Sequence, residues 1–377
     1  MITRHDVLTE YCLQRNQELA DALRGRKALF LDTRAWVHLR RAVSGDATQI
    51  AWLPVLHLLR ELVAAGRIFC PTTMTTISEV VSQADAATRL ATAELLDELS
   101  LGVGFCAPDE QLLDEVDSEI RRRVDGYESQ RVIWTKGCMT FMRPSLLELD
   151  VSLPEGLPTF ERAFDEVWNT PVSRLIESTG HLPGIDVSEA IERLNAGNWA
   201  HVDEISKFDR LLGVECRAVA ELAANVTHPR VRRHVVRQLI ASGIPEIVEE
   251  SPDERVEKAA IVAWLMEALQ TDEGRRRLPA LYTHAALHAQ IRWMRSQRLR
   301  DNDLPDHHQV AQAIAHCDAL LVDRATRNTL RAAQIRLDQL YGVNVLVTPA
   351  ELSGYLTAIA SDNRGLARCW LSVGCET

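Results

Sequence analysis

The residues best suited to chemistry are acids that close or flank short apolar runs. Asp32 follows the run at 28–31, and Glu79 lies in the threonine-rich segment opened by Pro71. The stretch LPDHHQVAQAIAHCDALLVDR, residues 304–324, carries Asp306, Asp318 and Asp323, with Asp303 just ahead of it. Carboxylates gathered at strand ends repel one another and titrate upward unless a cation sits among them. Hard oxygen donors of this kind favour Mg2+ or Mn2+. Each acid taken singly has a plainer reading, because an Asp after a strand commonly caps the following helix. Asp303 reads as the cap of the helix containing Pro305, and Asp318 as the turn into the next strand, with either able to join the metal set. His307 and His308 adjoin Asp306, and adjacent helical positions diverge, so at most one of them is expected to face the acids.

Little else in the chain competes for a chemical role. The eight cysteines include no CxxC pair and no Cys/His spacing suited to zinc. There is no Gly-rich phosphate loop and no nucleophile elbow. The group His201, Asp203, Glu204 and Asp209 reads as a charged helix start. The net charge of -11 argues against a chain that coats nucleic acid through bulk electrostatics, but it allows a local basic groove. Arg292, Arg295 and Arg298 recur at helical spacing around Trp293, which reads either as a solvated face or as a nucleic-acid-binding stripe.

These acids need elements to hold them. With 377 residues, 46% hydrophobic and 25% charged, the chain has the composition of an ordered globular protein. No run approaches the ~18 apolar residues of a membrane helix, and the charged N-terminus lacks a signal-like core, so a cytoplasmic location without membrane association is expected. Residues 3–24 have helical spacing and stop at Gly25. Strands are expected at 28–31, 67–70 and, more weakly, 102–106, separated by helices at 48–65, after Pro71 and at 84–99. That alternation predicts a parallel sheet. From 108 to 299 nearly everything reads as helix: 110–124, 159–178, 187–195, 202–225, 231–242, 254–270 and 281–300, with 135–158 the least regular part. Strands at 319–322 and 344–347 resume the alternation, and Thr348-Pro349-Ala350-Glu351 is a strong helix start. An α/β domain formed from 1–107 and 300–377, interrupted by a helical insertion or lid at 108–299, accounts for this pattern.

The order ALFLDT at 28–33, TTISE at 75–79, LPDHHQVAQAIAHCDALLVDR at 304–324 and VNVLVTPAEL at 343–352 resembles the PIN-like family of metal-dependent nucleases. The resemblance covers about the first hundred and last hundred residues. It implies a three-layer fold around a central parallel sheet of about five strands. It further implies that Asp32, Glu79, Asp306 and Asp323 hold Mg2+ or Mn2+ for hydrolysis of RNA phosphodiesters, with no separate nucleophile. The chain departs from the family pattern at Arg34, where the family has Asn, and at Val322, where it has Thr or Ser. Arg34, with Arg292, Arg295 and Arg298, is then a candidate RNA contact. Open alternatives are a PIN-like module of weakened catalysis that binds RNA or assembles with protein, and a toxin-like or phage-defence nuclease restrained by a protein partner. A homodimer is also compatible with the sequence.

Overall fold

The computed structural model describes residues 4–126, 133–141, 157–183, 187–200, 207–227, 254–294, 298–300 and 303–362. It is mixed α/β and mostly helical. The first part runs α1 (Arg4–Ala22), β1 (Lys27–Leu31), α2 (Thr33–Val43), a 3-10 turn (Ala47–Trp52), α3 (Leu53–Ala64), β2 (Ile68–Phe69), α4 (Met74–Val81), α5 (Ala86–Ser100) and β3 (Val103–Phe105). The middle comprises α6 (Pro108–Asp125), β4 (Trp134–Lys136), α7 (Leu157–Trp168), α8 (Val172–Thr179), α9 (Ser188–Ala200), α10 (Phe208–Val226), α11 (Glu254–Ala268), α12 (Asp272–Arg277) and α13 (Pro279–Trp293). The chain then continues through α14 (Asp303–Ala313), β5 (Ala319–Leu321), α15 (Arg324–Leu330), α16 (Leu337–Tyr341), β6 (Asn344–Leu346) and α17 (Pro349–Ser361).

A parallel sheet of four strands, ordered β2-β1-β5-β6, forms the centre. Its strands are short and almost wholly apolar, as strands covered on both faces must be. Alternation along them divides the side chains between two cores. Phe30, Leu320, Val322 and Val345 enter one core together with Ala220, Leu265, Leu281 and Ala285 of the middle helices. Leu29, Leu31, Ala319 and Leu321 enter the other, with Trp36, Leu59, Leu96 and Leu356. The middle helices therefore supply the layer on one sheet face, with α10 packed against α11 and α13. The opposite layer is built from α2, α3, α5 and α17.

Several expectations need correction. The strand at 103–105 does not extend the parallel sheet, which has four strands among the described residues rather than about five. It pairs antiparallel with β4, in the stretch expected to be least regular. It reaches the main sheet only where Thr72 bridges Gly104. That approach is close: a Cβ at Gly104 would lie 2.6 Å from Thr140 Cγ2 and 3.0 Å from the Thr72 carbonyl oxygen, so only glycine fits the strand there. An unexpected helix, α2, starts at once after β1. The helix expected at 281–300 ends at Trp293, so Arg292 and Arg298 do not share a helical face. The helix expected at 231–242 and residue Arg295 lie outside the described residues. Among the described residues no helix is long and apolar enough to cross a membrane.

Candidate active site

The sheet's register sets the site. Leu31 pairs with Leu321, and the Asp32 backbone N–H donates to the Leu321 carbonyl at 3.0 Å, so the carboxyl ends of β1 and β5 are adjacent. That end of an open parallel sheet is where ligands bind in such folds. The first residue after β1 is Asp32, and Asp323 stands two residues beyond β5. Both cap the next helix: Asp32 Oδ1 accepts from Ala35 N at 2.8 Å, and Asp323 Oδ1 accepts from Thr326 N at 2.6 Å. Capping occupies one oxygen of each carboxylate and fixes its direction. Cap and site residue are thus one role, not alternatives.

The other two acids come from helices. Glu79 lies on α4, whose start is set by Thr73 accepting from Thr76 N at 3.0 Å. Asp306 lies in the first turn of α14. Gln309, one turn further along α14, is buried; its Oε1 accepts from the Thr76 hydroxyl at 3.3 Å, and its amide reaches Glu79 Oε2 at 3.5 Å. A buried chain Thr73, Thr76, Gln309 therefore orients Glu79. Asp306 and Gln309, spaced i, i+3 on α14, share one side of that helix.

The four acids lie near enough to act on one another's charge. Burial pushes Asp306 up to about 7, and Asp32, Glu79, Asp323 and Asp303 add like-charge repulsion in that order. Burial likewise pushes Asp32 up to about 7; its cap bond to Ala35 draws it back, Asp323 and Glu79 raise it, and the Arg34 guanidinium lowers it. Glu79 is raised by burial and drawn back by the Thr33 hydroxyl and the Gln309 amide. All four acids are intermediate in exposure, neither fully buried nor open to solvent. The remaining acids stand apart: Asp318 is at the opposite, amino-terminal end of β5, where it binds Lys27 Nζ at 2.8 Å and Ala28 N at 3.0 Å. Asp303 opens α14 and accepts from Arg300 N, ahead of the helix, at 2.8 Å, while its charge reaches Asp306.

Among the basic residues, Arg34 is exposed on the first turn of α2, and its Nε donates to His38 Nε2 at 3.1 Å. His38 in turn stacks on Trp52. Arg292 is committed to an ion pair with Glu215, which corrects its reading as a free RNA contact on a solvated face. Trp293 packs edge-on against Phe208 and is a core residue. Arg298 is exposed. His307 is buried with Nδ1 unpartnered and feels the Asp323 charge, whereas His308 is exposed and meets His284 edge-on. Of the group at 201–209, only Asp209 is described; it lies in the first turn of α10.

The donor set is all carboxylate oxygen, the chemistry of a hard divalent cation. Among the described residues, no three or more His, Cys, Asp or Glu side chains stand in a metal-holding arrangement. Compared with family models, curated proteins and solved structures, the chain matches none.

Proposed function

We propose that the chain is a PIN-like, divalent-metal-dependent endoribonuclease, with Asp32, Glu79, Asp306 and Asp323 as its catalytic acids. The observation that carries this reading is their convergence from four separate elements, with burial and mutual repulsion pushing Asp32 and Asp306 up to about 7. A protein of ordinary stability does not concentrate buried like charge without a counter-charge for it. Mg2+ or Mn2+, when bound, would neutralise the acids, polarise the phosphodiester and lower the pKa of bound water. Asp32 and Asp306, the most strongly perturbed pair, would hold the ion, with Asp323 and Glu79 reaching it directly or through water. Arg34, exposed at the rim, would hold a neighbouring phosphate of the strand. A phosphodiester in RNA is the substrate this arrangement and the family resemblance support.

Arg34 also favours a second reading. Its guanidinium already lowers the Asp32 pKa and so supplies part of the cation's effect from within the chain, as suits a module that binds RNA with weakened catalysis. Calorimetric titration with Mn2+ separates the two. The endonuclease reading expects binding that is lost in the double variant Asp32→Asn, Asp306→Asn; heats that do not differ between wild type and this variant would overturn it.

A further inference from the structure

A cavity of about 530 Å³ lies in the helical layer between α9, α10 and α13. Its volume is in the range of small-molecule sites. Its polar groups are Arg193 and Asn198 of α9, Glu215 of α10, and His288 and Arg292 of α13. Its apolar walls include Leu194, Ile291 and Leu299. The walls are built rather than incidental: the Asn195 amide clamps the Leu299 backbone through two bonds, of 3.0 and 2.9 Å, and Ile191, Ile291 and Leu299 form a small core beneath.

A second, much smaller void of about 20 Å³ lies beside it; Ile291 and Leu299 line both spaces, and the smaller one adds Asp303, His307, Arg298 and Thr326. Thr326 is the residue whose N–H caps onto Asp323, and Asp303 repels Asp306. The small void thus borders residues that touch the candidate site, while the chamber itself is lined by none of the four acids.

We infer that the chamber is a binding site for a phosphorylated nucleotide. Guanidinium groups recognise phosphate through paired N–H donors. Among the described residues, Arg193 makes an exposed pair with Glu189 on its own helix, which is worth little and is readily exchanged for a ligand. Arg292 is fixed against Glu215, and its Nε is buried without a partner, so it is placed as the rigid half of a clamp. Burial lowers His288 and keeps its imidazole neutral, with one donor and one acceptor to offer. Asn198 adds an amide for a base edge, and Leu194, Ile291 and Leu299 give apolar faces for the ring. The inference rests on the nuclease reading only for the possibility that the nucleotide is part of the cleaved strand.

The test is calorimetry on the full chain in the presence of chelator, which removes any dependence on metal or cleavage. AMP, adenosine, inorganic phosphate, and a short oligoribonucleotide with a 5′-phosphate or a 5′-hydroxyl serve as probes. AMP should bind at least about tenfold more tightly than adenosine or phosphate, and Arg193→Ala should weaken it about tenfold without changing Tm. Arg292→Lys, which keeps the charge opposite Glu215, should also weaken it. A preference for the 5′-phosphorylated strand over AMP would assign the chamber to a strand end, and the reverse to a free nucleotide. Asp32→Asn should leave AMP binding unchanged, so loss of the nuclease reading and loss of this one are distinguishable. No AMP binding at millimolar concentration, equal binding of adenosine, or an Arg193→Ala variant that binds like wild type would overturn the inference.

Discussion

Replacing Asp306 by Asn should stabilise the metal-free protein at alkaline pH. Its carboxyl is pushed from 3.8 up to about 7, first by burial and then by Asp32, Glu79, Asp323 and Asp303. The folded chain therefore holds a proton there that the unfolded chain releases, and stability falls as pH rises between 3.8 and about 7. At about 1.36 kcal/mol per pH unit the full penalty is about 4 kcal/mol; partial solvent access and relaxation reduce this to about 2 kcal/mol. With about 2.1 cal/mol/K of unfolding entropy per residue, such a gain in a chain this long raises Tm by about 2–3 °C. The assay is thermal unfolding at pH 5.5 and 8.0 in chelator. The variant should melt above wild type at pH 8.0, the gap should shrink to about half at pH 5.5 because the penalty builds from pH 3.8 to about 7, and added Mn2+ should stabilise wild type more than the variant. A variant that melts at or below wild type at pH 8.0 would refute the argument that these acids form a mutually repelling set.

Three further outcomes follow from the geometry. Arg34→Ala should weaken RNA binding about tenfold and reduce the slope of log affinity against log salt by about one, as measured by anisotropy across a salt series. Gln309→Leu removes the amide that draws the Glu79 pKa down, so the acid limb of the pH–rate profile should move to higher pH; the broken link to Thr76 should cost about 1–2 kcal/mol in urea unfolding. Glu115 accepts from the first N–H groups of α13, Ala280 N at 2.8 Å and Leu281 N at 3.2 Å, in a buried setting. Glu115→Ala should therefore cost about 2–3 kcal/mol in the same assay, while an unchanged urea midpoint would show that the cap is dispensable.

The chain's α/β alternation was legible where elements announce themselves locally. The strand at 28–31 and the Thr348 to Glu351 capping box could be read from residue types alone, and the capping box is present. Asp32, Asp306 and Asp323 were legible because each follows or opens such an element, whereas Glu79 sits late in α4. The α2 helix was not expected because its apolar residues Ala35, Trp36 and Leu39 sit among Arg34, Arg40 and Arg41, which blurs the helical stripe. The third strand went astray because three residues carry no information about their partner; the antiparallel pairing to Trp134–Lys136 is a tertiary fact. The Arg292 to Arg298 periodicity misled because helical spacing persists in sequence past the point where the helix ends. Gln309 is a polar residue made functional only by burial against Thr76 and Glu79, which no local pattern reveals.

The most direct test of the central claim is cleavage of an end-labelled RNA by wild type, Asp32→Asn and Asp318→Asn, each with Mn2+ and with chelator. The account predicts that wild type cuts only with metal, that Asp32→Asn loses at least about a hundredfold in rate, a barrier rise of about 2.7 kcal/mol, and that Asp318→Asn, at the far end of the sheet, cuts like wild type. RNA left intact by wild type in Mn2+, or cut equally well by Asp32→Asn or in chelator, would contradict it.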